Sequence, residues 1–432
     1  MTANRKLASN EHTMEILNRS GGFSILTISR VKGGLKEEIV RQALDLIQTR
    51  HPRLNCRIIG DLDSLRFVLG ATKIPLRIVQ KQFIEQWQEV VLEELNQLID
   101  SDKCLIRAVL INFDDSNLNY LLTILHHAIS DGLSAAQLHS EILTYCQKIV
   151  DDKIENNISS LHPLPNIQEL FPKSMQGTVA KIKSNLFLPF LQLKLSLHRP
   201  ETLKLEKYVS PDLRRCNMLQ RKLNKETTTQ LVKLCRKERT TVHGALCAAM
   251  MLAVGGQATN KNNANLRFSC RSFVSLRKHI QPEVHRENLG NLASAITTLH
   301  NIDINTSFWD LARDVREKLT VGLRKEDIFS VVLISKKFFQ LLMYLSNKRT
   351  LTVGLTNIGR VNIFSDYGLF KLEEISFVPA QVFFTGAFVA AVTTFEDTMI
   401  LNFMFVEPSL SKEKIETLVK DTIDCIINAC SA

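Results

Sequence analysis

Residues 118–125 are largely apolar, and the run closes on His126-His127 before the chain turns polar. A near-continuous apolar stretch of this length suits a buried strand. A second stretch, 104–113, precedes it, and residues 114–117 between them have turn chemistry, so the pair predicts a hairpin. Upstream, Ser20-Gly21-Gly22 is a turn feeding an alternating strand over 23–28. Apolar positions at 35, 39, 40, 43, 44, 46 and 47 have helical spacing, and Pro52 ends that helix, because the residue before proline avoids the α region. Residues 84–98 predict another amphipathic helix. After the histidine pair, residues 134–137 have capping-box spacing, which predicts a helix running to about Val150.

A second series follows a break. Residues 151–175 are polar and carry Pro163, Pro165 and Pro172, which reads as a linker. From 178 to 197 the chain is apolar and basic, with Lys181, Lys183 and Lys194 among leucines and phenylalanines. This stretch is either a membrane-surface or lipid-substrate element, or a crossover packing on the second domain, with Pro189 breaking any long helix. Helices are predicted over 225–237 and from Thr240 to Ala253, and strands over 266–270, 273–277, 292–299 and 351–355. Residues 375–395 are the most apolar stretch, but Pro379, Gln381, Thr385 and Gly386 interrupt it, and it reads as buried strands rather than a membrane span. The class is α/β. At 432 residues the length suits two domains of about 200 residues each, placed at 1–165 and 210–432 with a crossover over 166–209.

Composition narrows the setting. The hydrophobic fraction of 45% is ordinary for a globular protein. Nine cysteines are scattered without a C-x-x-C pair, which favours reduced thiols and a cytoplasmic protein over a disulfide framework or a structural zinc site. No apolar segment of the kind found in a secretory signal follows Met1. The net charge of +10 serves solubility, or attracts CoA phosphates, an acidic carrier protein or a membrane surface. Nucleic acid is not an expected partner, since basic residues are dispersed, aromatics are sparse and no binding motif occurs.

The candidate chemistry lies where the buried strand ends. Side chains alternate along a strand, so His126 and His127 point to opposite sides. One can enter a cavity while the other is tied into the wall. Histidine titrates near neutral pH and suits proton transfer. Asp131 can fix the following loop and Gly132 can permit tight backbone geometry. His127 is the expected base. A metal set of His126, His127 and Asp131 is disfavoured, because adjacent histidines facing opposite ways do not readily share an ion. G-x-S-x-G, H-E-x-x-H, P-loop and G-x-G-x-x-G patterns do not occur.

His126-His127-Ala128-Ile129-Ser130-Asp131-Gly132 resembles the His-His-x-x-x-Asp-Gly signature of the condensation-domain and chloramphenicol-acetyltransferase-like acyltransferases, most of all the polyketide-associated and alcohol-acetyltransferase branch. Arg50-His51-Pro52-Arg53-Leu54 is similar to the opening of that superfamily. Asp-Phe-Gly-Trp-Gly, carried by plant and chloramphenicol-type members, does not occur here; Asp366-Tyr367-Gly368 is a faint echo. The resemblance implies two lobes of similar fold in a V-shaped pair, with the active-site channel between them. It implies that His127 deprotonates an alcohol or amine, which attacks an acyl thioester on CoA or on a carrier protein's phosphopantetheine. No metal or redox cofactor is implied. His126, Asp131 and Gly132 become structural motif residues, with Asp131 bonded to an arginine. Arg277 is that arginine or an interface residue, against a solvated surface charge, and Arg267 or Arg271 could serve instead. Thr356 and Asn357 become oxyanion or channel candidates, against plain turn chemistry. His51 reads as a helix-end residue and His243 as a packed helix residue. Ester formation is the leading expectation. Amide formation with a carrier-bound amine, and a non-catalytic relative that binds an acylated carrier, are the alternatives. No transmembrane segment is expected, and peripheral membrane contact stays open.

Overall fold

The computed structural model describes residues 3–114, 117–155, 158–258, 265–303, 305–324, 326–344, 351–383 and 385–431. Asp115 and Ser116 of the expected turn, Asn156 and Asn157 of the expected linker, and the side chain of Lys181 lie outside what is described. In chain order the elements begin with β1 (Arg5–Lys6), α1 (Ser9–Arg19), β2 (Ser24–Lys32), α2 (Glu37–Arg50), β3 (Cys56–Ile59), β4 (Arg66–Leu69), β5 (Leu76–Lys81), α3 (Trp87–Leu95), β6 (Ile106–Phe113), β7 (Leu118–His126) and α4 (Gly132–Val150). They continue with α5 (Gly177–His198), β8 (Arg215–Leu223), α6 (Lys225–Lys237), α7 (Val242–Ala258), β9 (Asn265–Ser275), β10 (Ala293–Asp303), α8 (Phe308–Arg324) and α9 (Asp327–Tyr344). The last are β11 (Val353–Arg360), β12 (Asp366–Tyr367), β13 (Phe370–Pro379), β14 (Phe388–Phe395), β15 (Thr398–Glu407) and α10 (Lys412–Ser431).

The chain forms two compact units, each assembled from three segments. The first comprises Met1–Leu170, Arg277–Leu292 and Arg360–Gln381, and the second Phe171–Leu276, Ala293–Gly359 and Val382–Ala432. The contiguous division at 166–209 therefore does not describe them. The reason lies in strand pairing. β13, from the C-terminal half, runs antiparallel to β2 with Lys371 opposite Lys32 and Pro379 opposite Ile25. The apolar run 375–395 is accordingly split, with β13 in the first unit's sheet and β14 in the second's.

In the first unit the six-stranded sheet has the order β12-β13-β2-β7-β6-β5, beside a small sheet β1-β4-β3. Every residue of β7 is buried, as its apolar run requires of a strand covered on both faces. Tyr120 stacks on Trp87 of α3, with ring centroids 5.1 Å apart. Thr123 Oγ1 lies 2.7 Å from His139 Nε2 of α4. The two covers thus meet even- and odd-numbered side chains respectively.

The second unit has its own six-stranded sheet, β10-β9-β11-β14-β15-β8, in which β11 runs parallel to β9. The expected strand region of 266–270 and 273–277 is one strand, β9, and Arg277 lies beyond its end. α7 is apolar on nearly all sides and buried through Ala245 to Met251, a helix of the interior. α5 packs against α9 and belongs to this unit. Pro189 sits inside α5 without ending it. Its position is exposed, where water can replace the hydrogen bond that the ring removes.

Candidate active site

His126 closes β7 on the side of the strand that Tyr120 occupies, and α1 covers it there. Its Nε2 lies 2.8 Å from Glu15 Oε2, and both side chains are fully buried. The Ala128 N–H donates to His126 Nδ1 at 3.1 Å, so Nε2 is the nitrogen that carries a proton toward Glu15. Glu15 Oε1 accepts from Ser101 Oγ at 2.7 Å and from Arg19 Nε at 2.6 Å. Burial pushes the Glu15 carboxyl upward, but the bonds from His126, Ser101 and Arg19 outweigh it and hold the group below its ordinary 4.5. The stability this pair contributes is complete above that ordinary value and is lost as pH falls through the lowered one.

Glu15→Gln should cost about 1–3 kcal/mol, because a carboxamide must turn an N–H toward one of three donors. A urea midpoint equal to that of the wild type above pH 6 would contradict this. Sequence pattern did not single out Glu15, nor α1 itself. Beside Leu17 the helix buries Asn10, Glu11, His12, Thr13, Glu15 and Asn18, a largely polar face with no apolar periodicity to reveal it.

His127 points the other way and is half-buried. Its Nδ1 donates to the Ser130 carbonyl at 2.7 Å. A carbonyl only accepts, so the proton sits on Nδ1 and Nε2 keeps its lone pair. The Phe23 ring stacks on the imidazole, with centroids 5.4 Å apart and planes within 5°. Burial lowers the pKa of His127 from its ordinary 6.5, against the opposing pull of the Ser130 carbonyl and Asp131. The result is a neutral, oriented imidazole at neutral pH. Both ring nitrogens of His126 are engaged, so the two histidines do not converge on an ion. Among the described residues no group of three His, Cys, Asp or Glu side chains gathers for one.

Asp131 is the N-cap of α4, and the expected box over 134–137 is displaced accordingly. Its Oδ1 accepts from the Ser134 N–H at 2.8 Å and the Ser134 hydroxyl at 2.9 Å. Ser134 Oγ in return accepts from the Asp131 N–H at 3.0 Å, which makes the box reciprocal. Of the three candidate arginines, Arg277 reaches Asp131, with Nη2 3.4 Å from both carboxylate oxygens and both side chains buried. The Leu292 N–H adds a contact of 3.3 Å to Oδ2. Arg277 also donates to the carbonyls of His285 and Asn288, so Asp131 ties the 277–292 segment to the motif loop. Gly132 opens α4 buried, with φ outside the left-handed region, so the tight-turn reason for glycine does not hold there.

The structure thus brings His126, His127, Asp131, Gly132 and Arg277 together within the first unit. Thr356 and Asn357 lie on β11 of the second. Asn357 Oδ1 accepts from the Gly359 N–H at 2.8 Å, a local turn with Gly359 at φ +72°. His51 follows α2 and meets Glu141 at 2.7 Å, a helix-end role. His243 hydrogen-bonds with Ser272 at 2.7 Å, and burial lowers its pKa to about 4. Tyr367, in the Asp366-Tyr367-Gly368 segment, donates to Ser140 at 2.8 Å.

Comparison with known proteins agrees with this architecture. Residues 13–159 match the condensation-domain family, and residues 213–397 match the C-terminus of phthiocerol/phthiodiolone dimycocerosyl transferase. The Fusarium sporotrichioides trichothecene 15-O-acetyltransferase TRI3 has a similar fold, with a TM-score of 0.77, 12% identity, and coverage of 99% of this chain and 95% of that one. Polyketide synthase associated protein 5 from Mycobacterium tuberculosis is similar at a TM-score of 0.71 and 16% identity, over 99% and 98% of the two chains. A plipastatin synthase polypeptide of Bacillus subtilis (strain 168) is 22% identical over 288 residues, covering 63% of this chain but only 11% of that much longer protein. The two family matches and the shared fold fit the condensation-domain and chloramphenicol-acetyltransferase-like superfamily of acyltransferases. Within it, the match over the C-terminal half fits the polyketide-associated branch.

Proposed function

We propose that the protein transfers an acyl group from a CoA or carrier-protein thioester to an alcohol, with His127 as the general base. The observation that carries this reading is the hydrogen bond from His127 Nδ1 to the Ser130 carbonyl, which leaves Nε2 as the acceptor. Nε2 takes the hydroxyl proton as the acceptor oxygen bonds to the thioester carbonyl carbon. The tetrahedral intermediate then collapses, the C–S bond breaks, and the thiolate recovers the proton from the imidazolium. A thioester is already activated, so positioning, proton transfer and oxyanion stabilisation suffice. Thr356 or Asn357 is the proposed oxyanion donor, a role assigned by resemblance to the family's Ser-Asn-x-Gly segment. His126, held by Glu15, serves the loop rather than the proton.

Amide formation with a carrier-bound amine is the second reading, favoured by the condensation-domain match over 13–159. Thiol release from acyl-CoAs of increasing length, with and without alcohol and amine acceptors, separates the two. Alcohol-stimulated release supports the ester reading, and amine-stimulated release replaces it with the second. Silence with CoA and with acylated carrier proteins alike would leave a binding-only relative. The acid limb of kcat/KM should inflect below pH 6.5, because protonation disables a base whose pKa is lowered. An inflection above 6.5 would argue against His127 as that base.

A further inference from the structure

We propose that α5 is a peripheral docking surface for an anionic lipid bilayer. One side of the helix is covered and the other carries an exposed apolar row. Ala180 and Ser184 are buried, and the helix packs against α9. On the opposite side Ile182, Leu186, Phe190, Leu193 and Leu197 are 55%, 65%, 65%, 59% and 70% exposed. Steps of four, four, three and four residues keep these five within an arc of about 80° at 3.6 residues per turn. Scattered exposed leucines need no explanation, but five large side chains in one uninterrupted row do.

Charge identifies the occupant. Lys183 and Lys194 are exposed and follow the row along one edge. On the other edge Lys337 of α9 is anchored through Nζ to Asn185 Oδ1 at 2.9 Å. Residues 177–198 contain no aspartate or glutamate. The acidic group bonded nearby, Glu326, is held by Ser174 before the helix begins. Cations bordering an apolar row match a bilayer surface, whose acyl chains receive the leucines and phenylalanine while anionic headgroups meet the lysines. Among the described residues no helix is long and apolar enough to cross a membrane, so α5 would lie along the surface.

The test is co-sedimentation of the full chain with phosphatidylcholine vesicles, with and without an equal part of phosphatidylglycerol. The wild type should partition onto the anionic vesicles. Leu186→Glu/Phe190→Glu should abolish partitioning, and Lys183→Glu/Lys194→Glu should weaken it about tenfold to hundredfold. Both variants change exposed positions and should keep the wild-type melting temperature, which separates lost docking from lost folding. Absence of the wild type from anionic vesicles would overturn the proposal, as would equal partitioning of Leu186→Glu/Phe190→Glu. A dimer in sedimentation velocity that this same variant dissociates would also overturn it, making the row a seam between two copies. Binding is read without turnover, so the outcome is independent of the acyl-transfer reading.

Discussion

His127→Ala is expected to lower acceptor-stimulated thiol release by about 10²–10⁴-fold while leaving the melting temperature near that of the wild type. The loss would follow from removing the imidazole whose Nε2 is left as an acceptor by the Nδ1 bond to the Ser130 carbonyl. His126 cannot substitute, since Ala128 and Glu15 occupy its two nitrogens on the other side of the strand. Stability should change little because the imidazole is half-buried and makes one hydrogen bond, to a backbone carbonyl. Residual rate would report positioning and oxyanion stabilisation. A variant within a few-fold of wild type would remove His127 from the mechanism.

Asp131→Ala should act on folding first. It removes the N-cap of α4, typically about 1 kcal/mol, and strands the buried Arg277 guanidinium, a change that costs about 3–5 kcal/mol where one partner of a buried pair is deleted. The two terms share one carboxylate and need not add. Asp131→Asn separates them, because its carbonyl can still accept from the Ser134 N–H while the charge facing Arg277 is gone. Chemical denaturation of the three proteins should rank them wild type, Asn, Ala. An alanine variant that keeps its midpoint but loses turnover would place Asp131 in the chemistry instead.

The parts of the fold legible in the sequence are those where side-chain periodicity and burial coincide. Residues 118–127 carry the signal of a buried strand ending in opposed histidines because β7 is covered on both faces, whereas the start of α4 lies at Asp131, three residues before the expected box. α1 went unseen because its buried face is largely polar, and Glu15 with it, since a buried carboxylate is defined by partners 86 and 111 residues away. Pro189 stays inside α5 because it sits on the exposed side of the helix, which local pattern does not reveal. The exchange of segments between units was also illegible: pairing of β13 with β2 joins strands more than three hundred residues apart, and local pattern carries no register.

That pairing bears on how the protein can be made. During synthesis β2 and β7 emerge early, yet the edge of β2 has no partner until residues 370–379 leave the ribosome. Until then it is an exposed strand edge of the kind that recruits foreign chains. A gene cut at the apparent boundary near residue 210 would therefore yield an aggregation-prone first fragment rather than an autonomous lobe. Supplying the second fragment in the same cell, so that β13 can be donated from outside, is the condition under which the halves should become soluble together.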